Sequence, residues 1–339
     1  MSKLLLDALH CCNKDRPPVW LMRQAGRYMP QYRAIRAKHS FMQMVHDPEI
    51  ATEISLLPVN LLKVDAAILF SDILVIAEAL GVGLRFDEGK GPIIERPLDK
   101  PQDVDRLPLP NISESLHFVG ETIKLLKPLL KVPLIGFCGA PFTLASYLIE
   151  GGVSRDFKKT KQWMLREPKS FHRLLDHIAK CTIDYIQLQI KAGVQVLQIF
   201  DSWANALGHA QFCEFALPYM QQVMQSVKGP KKIPVILFCR GSSLFATEMA
   251  ATQPAAISVD WSGDIGKVRS AVPLPVALQG NLDPDLLYAP KSLLKREVKR
   301  MLKTMRNDPG YIFNLGHGIH PDVGVDAVKL LVDTVQGND

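Results

Sequence analysis

Two adjoining stretches decide the fold: Pro168 to Gly193, in which Phe171, Leu174, Leu175, Ile178, Tyr185 and Leu188 recur at helical spacing, and Val194-Gln-Val-Leu-Gln-Ile-Phe200-Asp201-Ser202. The first predicts one long helix over about Pro168–Ala192, with Gly193 as its stop. The second predicts a strand that ends abruptly in a polar pair. A helix followed by a short buried strand with polar residues at its C-terminal end is the unit from which parallel α/β folds are assembled.

Working outward, the same unit recurs. Strands are predicted at Pro18–Met22, Ala66–Phe70, Pro133–Cys138, Pro234–Cys239, Ile257–Trp261, Pro275–Gln279 and Tyr311–Asn314, making eight with Val194–Phe200. Helical patterns separate most of them, at about 114–128, Phe245–Thr252, Ile265–Val272, Ser292–Met305 and Gly324–Val335. Asp47-Pro48-Glu49 reads as a helix start, with Asp47 as cap and Pro48 in the first helical position. Ile50, Ile54, Leu57 and Leu61 continue that face, and Pro58 is expected to kink or interrupt it. The expectation is a single (β/α)8 TIM barrel over residues 1–339, with a β-hairpin inserted at Val82–Pro97 around the glycine-rich Glu88-Gly-Lys-Gly91. A doubly wound open sheet is the rival, but no GxGxxG follows the first strand and polar residues collect after most strands rather than at one crevice.

Composition excludes several classes. Hydrophobic residues make up 47% and charged residues 22% of the 339, an ordinary globular balance. A formal charge of +6, with its densest basic stretch at Lys295–Arg306 reading as a solvated helix face, predicts no nucleic-acid partner. The N-terminal apolar run is too short for a signal peptide and no segment approaches a membrane span, so a cytoplasmic protein without a membrane partner is expected. Six cysteines at 11, 12, 138, 181, 213 and 239 form no CxxC pair, which predicts reduced thiols and no metal site.

In a barrel, the groups that do chemistry sit where strands end. Those ends carry Arg23 and Arg27, Ser71 and Asp72, Gly139 and Pro141, Asp201 and Ser202, Arg240 and Gly241, Asp260, Gln279 with Asn281, and Asn314 with His317. An Asp after a strand is often a helix cap, and Asp72, Asp201 and Asp260 each allow that reading. Caps do not explain the Arg, Gln, Asn and His at matched positions. The run Trp20-Leu-Met-Arg-Gln-Ala-Gly-Arg-Tyr28 places two guanidiniums around Gly26, a carboxylate-gripping arrangement, whose plainer alternative is a surface loop paired with nearby acids. His172, His177 and His209 lie on helical patterns away from strand ends and read as surface or packing residues.

Met22-Arg-Gln-Ala-Gly-Arg-Tyr28, Phe70-Ser-Asp-Ile-Leu-Val75, Gly139-Ala-Pro-Phe-Thr-Leu144 with Tyr147 and Glu150-Gly151, Leu278-Gln-Gly-Asn-Leu-Asp-Pro284 and Asn314-Leu-Gly-His-Gly318 together resemble the uroporphyrinogen decarboxylase family, in family order along almost the whole chain. One block departs: the strand end reads Phe200-Asp-Ser-Trp-Ala204 where the family often has a Phe-Glu-Ser type. The resemblance implies a homodimeric barrel that removes carboxyl groups from the four acetate side chains of uroporphyrinogen III, giving coproporphyrinogen III, without a cofactor. It implies Arg23, Gln24, Ala25, Gly26, Arg27, Asp72, Tyr147, Ser202 and His317 as substrate-binding residues, with Asp72, Arg23 and Arg27 catalytic.

The chemistry suits those residue types. Loss of carbon dioxide from a pyrrole acetate needs an electron sink, which protonation of the adjacent ring carbon supplies by making the ring cationic. A carboxylate such as Asp72 would accept the pyrrole N–H groups and stabilise that charge. Arginine is a poor acid at neutral pH, so the proton donor stays open among Arg23, Arg27, His317 through water, and a relay through Asp72. Two rival functions remain. A zinc-dependent methyltransferase of the same superfamily, passing methyl between a corrinoid and a thiol, would want a His-x-Cys strand end, whereas Phe238-Cys239-Arg240-Gly241 has no His. A non-enzymatic tetrapyrrole carrier would have no need of Asp72 beside paired arginines.

Overall fold

The computed structural model describes residues 3–87, 91–227 and 233–338; Glu88, Gly89 and Lys90, read above as part of the hairpin turn, lie outside the described residues. Its strands are β1 (Ala67–Ile68), β2 (Leu84–Asp87), β3 (Gly91–Ile94), β4 (Leu134–Gly139), β5 (Val196–Asp201), β6 (Val235–Cys239), β7 (Ala256–Ser258), β8 (Ala277–Leu282) and β9 (Tyr311–Leu315). Seven of them pair in parallel in the order β1-β4-β5-β6-β7-β8-β9, and β2 and β3 form the separate antiparallel hairpin. The hairpin is tied to the barrel where Ile94 N donates to Gly151 O at 2.9 Å.

The eighth place is filled by the chain around Val19, which makes a parallel bridge to Phe313 in β9. Phe313 N donates to Pro18 O at 2.9 Å and Asp65 N donates to Val19 O at 2.8 Å, so this stretch joins β9 to the approach to β1 and closes the ring. It is shorter than the strand expected at Pro18–Met22 because Pro17 and Pro18 have no N–H to donate and the chain turns sharply at Arg23. The strand expected at Ala66–Phe70 is likewise only β1, since Phe70 N leaves the ladder to bond Ser55 Oγ at 2.9 Å.

Inside the ring, one fully buried residue comes from each of the eight positions: Trp20, Ala66, Ile135, Val196, Ile236, Ala256, Ala277 and Ile312, in one cluster with Leu5, Ala8 and Leu9 of the helix Leu4–Leu9. Their strand neighbours Leu134, Leu197, Leu237, Ile257, Leu278 and Phe313 belong to the other cluster, packed with the helices. This is the period-two alternation of a filled barrel. Above the apolar layer, Gln279 accepts from Trp20 Nε1 at 2.9 Å and donates to Gln198 Oε1 at 3.1 Å and Ser258 Oγ at 2.9 Å, a polar layer inside the barrel.

The long helix runs from Pro168 to Ala192 as expected, with Gly193 at φ +124°. Asp47 caps the helix Pro48–Leu62 through Glu49 N and Ile50 N. Of the two outcomes expected at Pro58, an interruption does not occur and the helix runs unbroken through it: a buried face with Ala51, Ile54, Ser55, Pro58 and Leu62 outweighs one missing backbone bond. The helix Pro141–Glu150 had no amphipathic signature to reveal it, because Pro141 through Ile149 are all buried. Among the described residues no helix is long and apolar enough to cross a membrane.

Candidate active site

The ring brings its strand ends to one mouth. Arg23 stands there in the left-handed region, at φ +60°. A side chain in that conformation is strained by about 1–2 kcal/mol per residue, and the surrounding contacts hold it there. Gln24 is buried, its Oε1 accepting from Leu21 N at 3.1 Å and its Nε2 donating to Ala66 O at 3.1 Å, so its side chain stitches the seam. A Cβ on Gly26 would stand 3.1 Å from Arg23 O, which leaves Gly26 as the residue that lets the turn close beneath Arg23. Ala25 is half-buried against the core and Arg27 is exposed, with Arg33 Nη1 donating to Arg27 O at 2.9 Å.

On the opposite side of Arg23 lies Gly316-His317-Gly318. A Cβ on Gly318 would meet Arg23 Cδ at 2.4 Å, and one on Gly316 would meet Trp261 N at 2.2 Å. The two glycines therefore admit Arg23 and Trp261 on either side of the imidazole. Burial, together with the Arg23 and Arg240 guanidiniums and His320, pushes the His317 imidazole down to about 3, against Asp260. His317 is accordingly neutral at neutral pH, a hydrogen-bonding ring and not an imidazolium acid.

Asp72 follows β1. One carboxylate oxygen accepts from Leu74 N at 2.8 Å, which fixes its orientation. Burial raises its pKa above the ordinary carboxylate range, while the Leu74 amide and the Arg23 charge pull it back. Tyr147, on the helix Pro141–Glu150, is buried, and its phenol is held protonated first by burial and then by the Asp72 charge. Its ring centroid lies 5.7 Å from that of Trp203, the residue after half-buried Ser202 at the end of β5. Arg23, Asp72, Tyr147 and His317 are thus electrically coupled across one mouth; Arg27 is felt instead by Tyr32.

The remaining strand-end acids divide. Asp260 is a cap: its oxygens accept from Gly241 N at 3.1 Å, Ser243 N at 3.3 Å and Ser262 Oγ at 2.7 Å. Asp201 is different, wholly buried, with Oδ1 accepting from Thr143 Oγ1 and Oδ2 without a partner among the described residues. Burial raises it to about 7 against the Thr143 bonds. Asn314 also keeps a buried Nδ2 without a partner among the described residues, while its Oδ1 accepts from Met22 N at 3.1 Å. Trp203 and Trp261 are mouth residues that the sequence reading did not single out; bulky aromatics just past β5 and β7 were the available signal. His172, His177 and His209 bond to Tyr219, the Pro108 carbonyl and Glu248 on the outside.

A family model described as uroporphyrinogen decarboxylase matches residues 1–337. A uroporphyrinogen decarboxylase of Protochlamydia amoebophila is 56% identical over 332 residues, covering 98% of this chain and 91% of the relative. One of Alkalilimnicola ehrlichii is 44% identical over 337 residues, covering 98% and 92%. Among solved structures, a methyltransferase from Methanosarcina mazei superposes with a TM-score of 0.84 at 23% identity, covering 98% of this chain and 97% of that one, a likeness of fold. A match over nearly every residue, with relatives this similar along almost their entire lengths, places this chain in the uroporphyrinogen decarboxylase family.

Proposed function

We propose that the barrel mouth removes the carboxyl groups of the four acetate side chains of uroporphyrinogen III, giving coproporphyrinogen III and carbon dioxide. The observation that carries this reading is Asp72, aimed by the Leu74 amide and set beside Arg23 and Tyr147. Ionised, its carboxylate accepts the pyrrole N–H groups and stabilises the ring cation that forms when the ring carbon next to the one bearing the acetate is protonated. The C–C bond to the carboxyl then breaks, its electrons form an exocyclic double bond that neutralises the ring, a second proton on the exocyclic carbon makes the methyl group, and loss of the first proton from the ring carbon restores the pyrrole. Arg23 and Arg27 bind substrate carboxylates, Tyr147 and Ser202 orient, and neutral His317 hydrogen-bonds; Gln24, Ala25 and Gly26 act by shaping the loop.

Anaerobic incubation of the purified protein with freshly reduced uroporphyrinogen III, followed by oxidation and chromatography, tests the reading. Stepwise loss of carboxyl groups is expected; return of the starting compound unchanged would overturn it. The zinc methyltransferase reading is disfavoured by Cys239, whose buried thiol donates to Met249 Sδ at 3.6 Å and is pushed up by burial, away from the thiolate a metal requires. Family membership further supports a single domain, a homodimer and a cytoplasmic location, the second checked by sedimentation. The continuity of one apolar cluster from Val19 to Val335 favours the single domain.

A further inference from the structure

Arg240 leaves the C-terminal end of β6 and turns its guanidinium between two indoles, 6.0 Å from the Trp203 ring centroid and 5.7 Å from that of Trp261. Both rings are themselves held. Trp203 packs against Tyr147 and against Phe157 at 5.1 Å, and Trp261 sits over Gly316, where no side chain fits, with His317 at 6.0 Å. An indole face attracts a guanidinium and leaves its in-plane N–H fork free.

Among the described residues no carboxylate pairs with Arg240. Asp260, which acts on the same imidazole of His317, is committed to Gly241 N, Ser243 N and Ser262 Oγ. Arg240 and Arg23 both act on His317, so two guanidiniums influence one imidazole, and of the two Arg23 also acts on the Asp72 carboxylate. A half-buried cation fixed in place and given no anion by its own protein is built to receive one from a ligand.

We propose that Arg240, bracketed by Trp203 and Trp261, binds a peripheral carboxylate of the tetrapyrrole and sets substrate affinity. This rests on the decarboxylase reading for the nature of the ligand. The substrate carries acetates that are lost and propionates that persist, and either kind offers the planar acceptor the fork requires.

The test is an anaerobic titration of wild type, Arg240→Met and Arg240→Lys with uroporphyrinogen III and, separately, coproporphyrinogen III, read by tryptophan quenching and accompanied by KM, kcat and thermal midpoint. The Met variant is expected to bind uroporphyrinogen about 10–100-fold more weakly, with KM raised to match, kcat changed far less and the midpoint retained. Equal weakening for coproporphyrinogen assigns the held group to a propionate; weakening confined to uroporphyrinogen assigns it to an acetate, and both outcomes support the clamp. Wild-type Kd and KM in the Met variant would overturn it. Should that variant not fold, Arg240→Lys decides, because the ammonium keeps the charge and loses the fork: a threefold or greater loss supports the proposal, and wild-type affinity overturns it. A wild-type protein that binds both compounds without turnover would defeat the decarboxylase reading while the Kd comparison still decides the clamp.

Discussion

At the scale of single residues, burial and charge at the mouth set what each group can do. In the proposed reaction Asp72 works as an anion in a place that disfavours anions, so its charge would meet a developing cation with little solvent to screen it. Asp72→Asn keeps an oxygen for the Leu74 amide and removes the charge; kcat should fall about 10²–10³-fold, with the thermal midpoint unchanged. A variant turning over at the wild-type rate would remove Asp72 from the mechanism. Asp201 calls for a stability measurement. Its folded pKa stands at about 7 against the ordinary 3.8, so the folded chain holds a proton that the unfolded chain releases first. Stability from this group is therefore complete below about pH 4 and is lost as pH rises toward 7, at up to about 1.4 kcal/mol per pH unit. Asp201→Asn should flatten that part of the unfolding curve, while an unchanged slope would show the carboxyl ionised throughout. Asp72, Arg23 and Arg27 stood out in the sequence because of their residue types and their places at strand ends. Asp201 was read as a possible cap, since nothing in Phe200-Asp-Ser shows that one oxygen would be sealed in without a partner.

At the scale of elements, the loop after β9 and the loop after Trp20–Met22 fit together through one absent side chain. The Gly318 Cα faces Arg23 so closely that a methyl group would overlap Cγ at 2.7 Å and Cδ at 2.4 Å. Its backbone does not lie in the left-handed region that favours glycine, so Gly318→Ala should fold and shift Arg23. KM for uroporphyrinogen should rise about tenfold or more, with little change in thermal midpoint. Unchanged KM would argue against substrate contact by Arg23 from this position. The elements themselves were legible to different degrees. The helix Pro168–Ala192 declares itself because one face meets the sheet and the other water. The helices Leu4–Leu9 and Pro141–Glu150 do not, the first because it is short and the second because it is apolar throughout its buried length. The hairpin was visible in the change to alternating residues.

At the scale of the whole molecule, closure of the ring depends on its narrowest seam. Asp65 accepts from Val19 N at 2.8 Å and pairs with Arg16 at 2.7 and 2.8 Å, tying the chain before Arg23 to the chain before β1. Asp65→Ala should cost about 3 kcal/mol in urea unfolding, leaving an amide and a cation unmatched at the seam; a loss under about 1 kcal/mol would show that the β9 bridge closes the barrel by itself. The recurring helix–strand units, their parallel character and the placing of Arg23, Asp72 and His317 at strand ends follow from residue order, since periodicity and residue type are local properties of the chain. The pairing of Trp203 with Trp261 about Arg240, the neutrality of His317, the orphaned oxygen of Asp201 and the clearance that Gly316 and Gly318 give their neighbours do not. Each depends on which atoms from distant segments come within a few ångströms and on how much water they displace, and only closing the ring sets those distances.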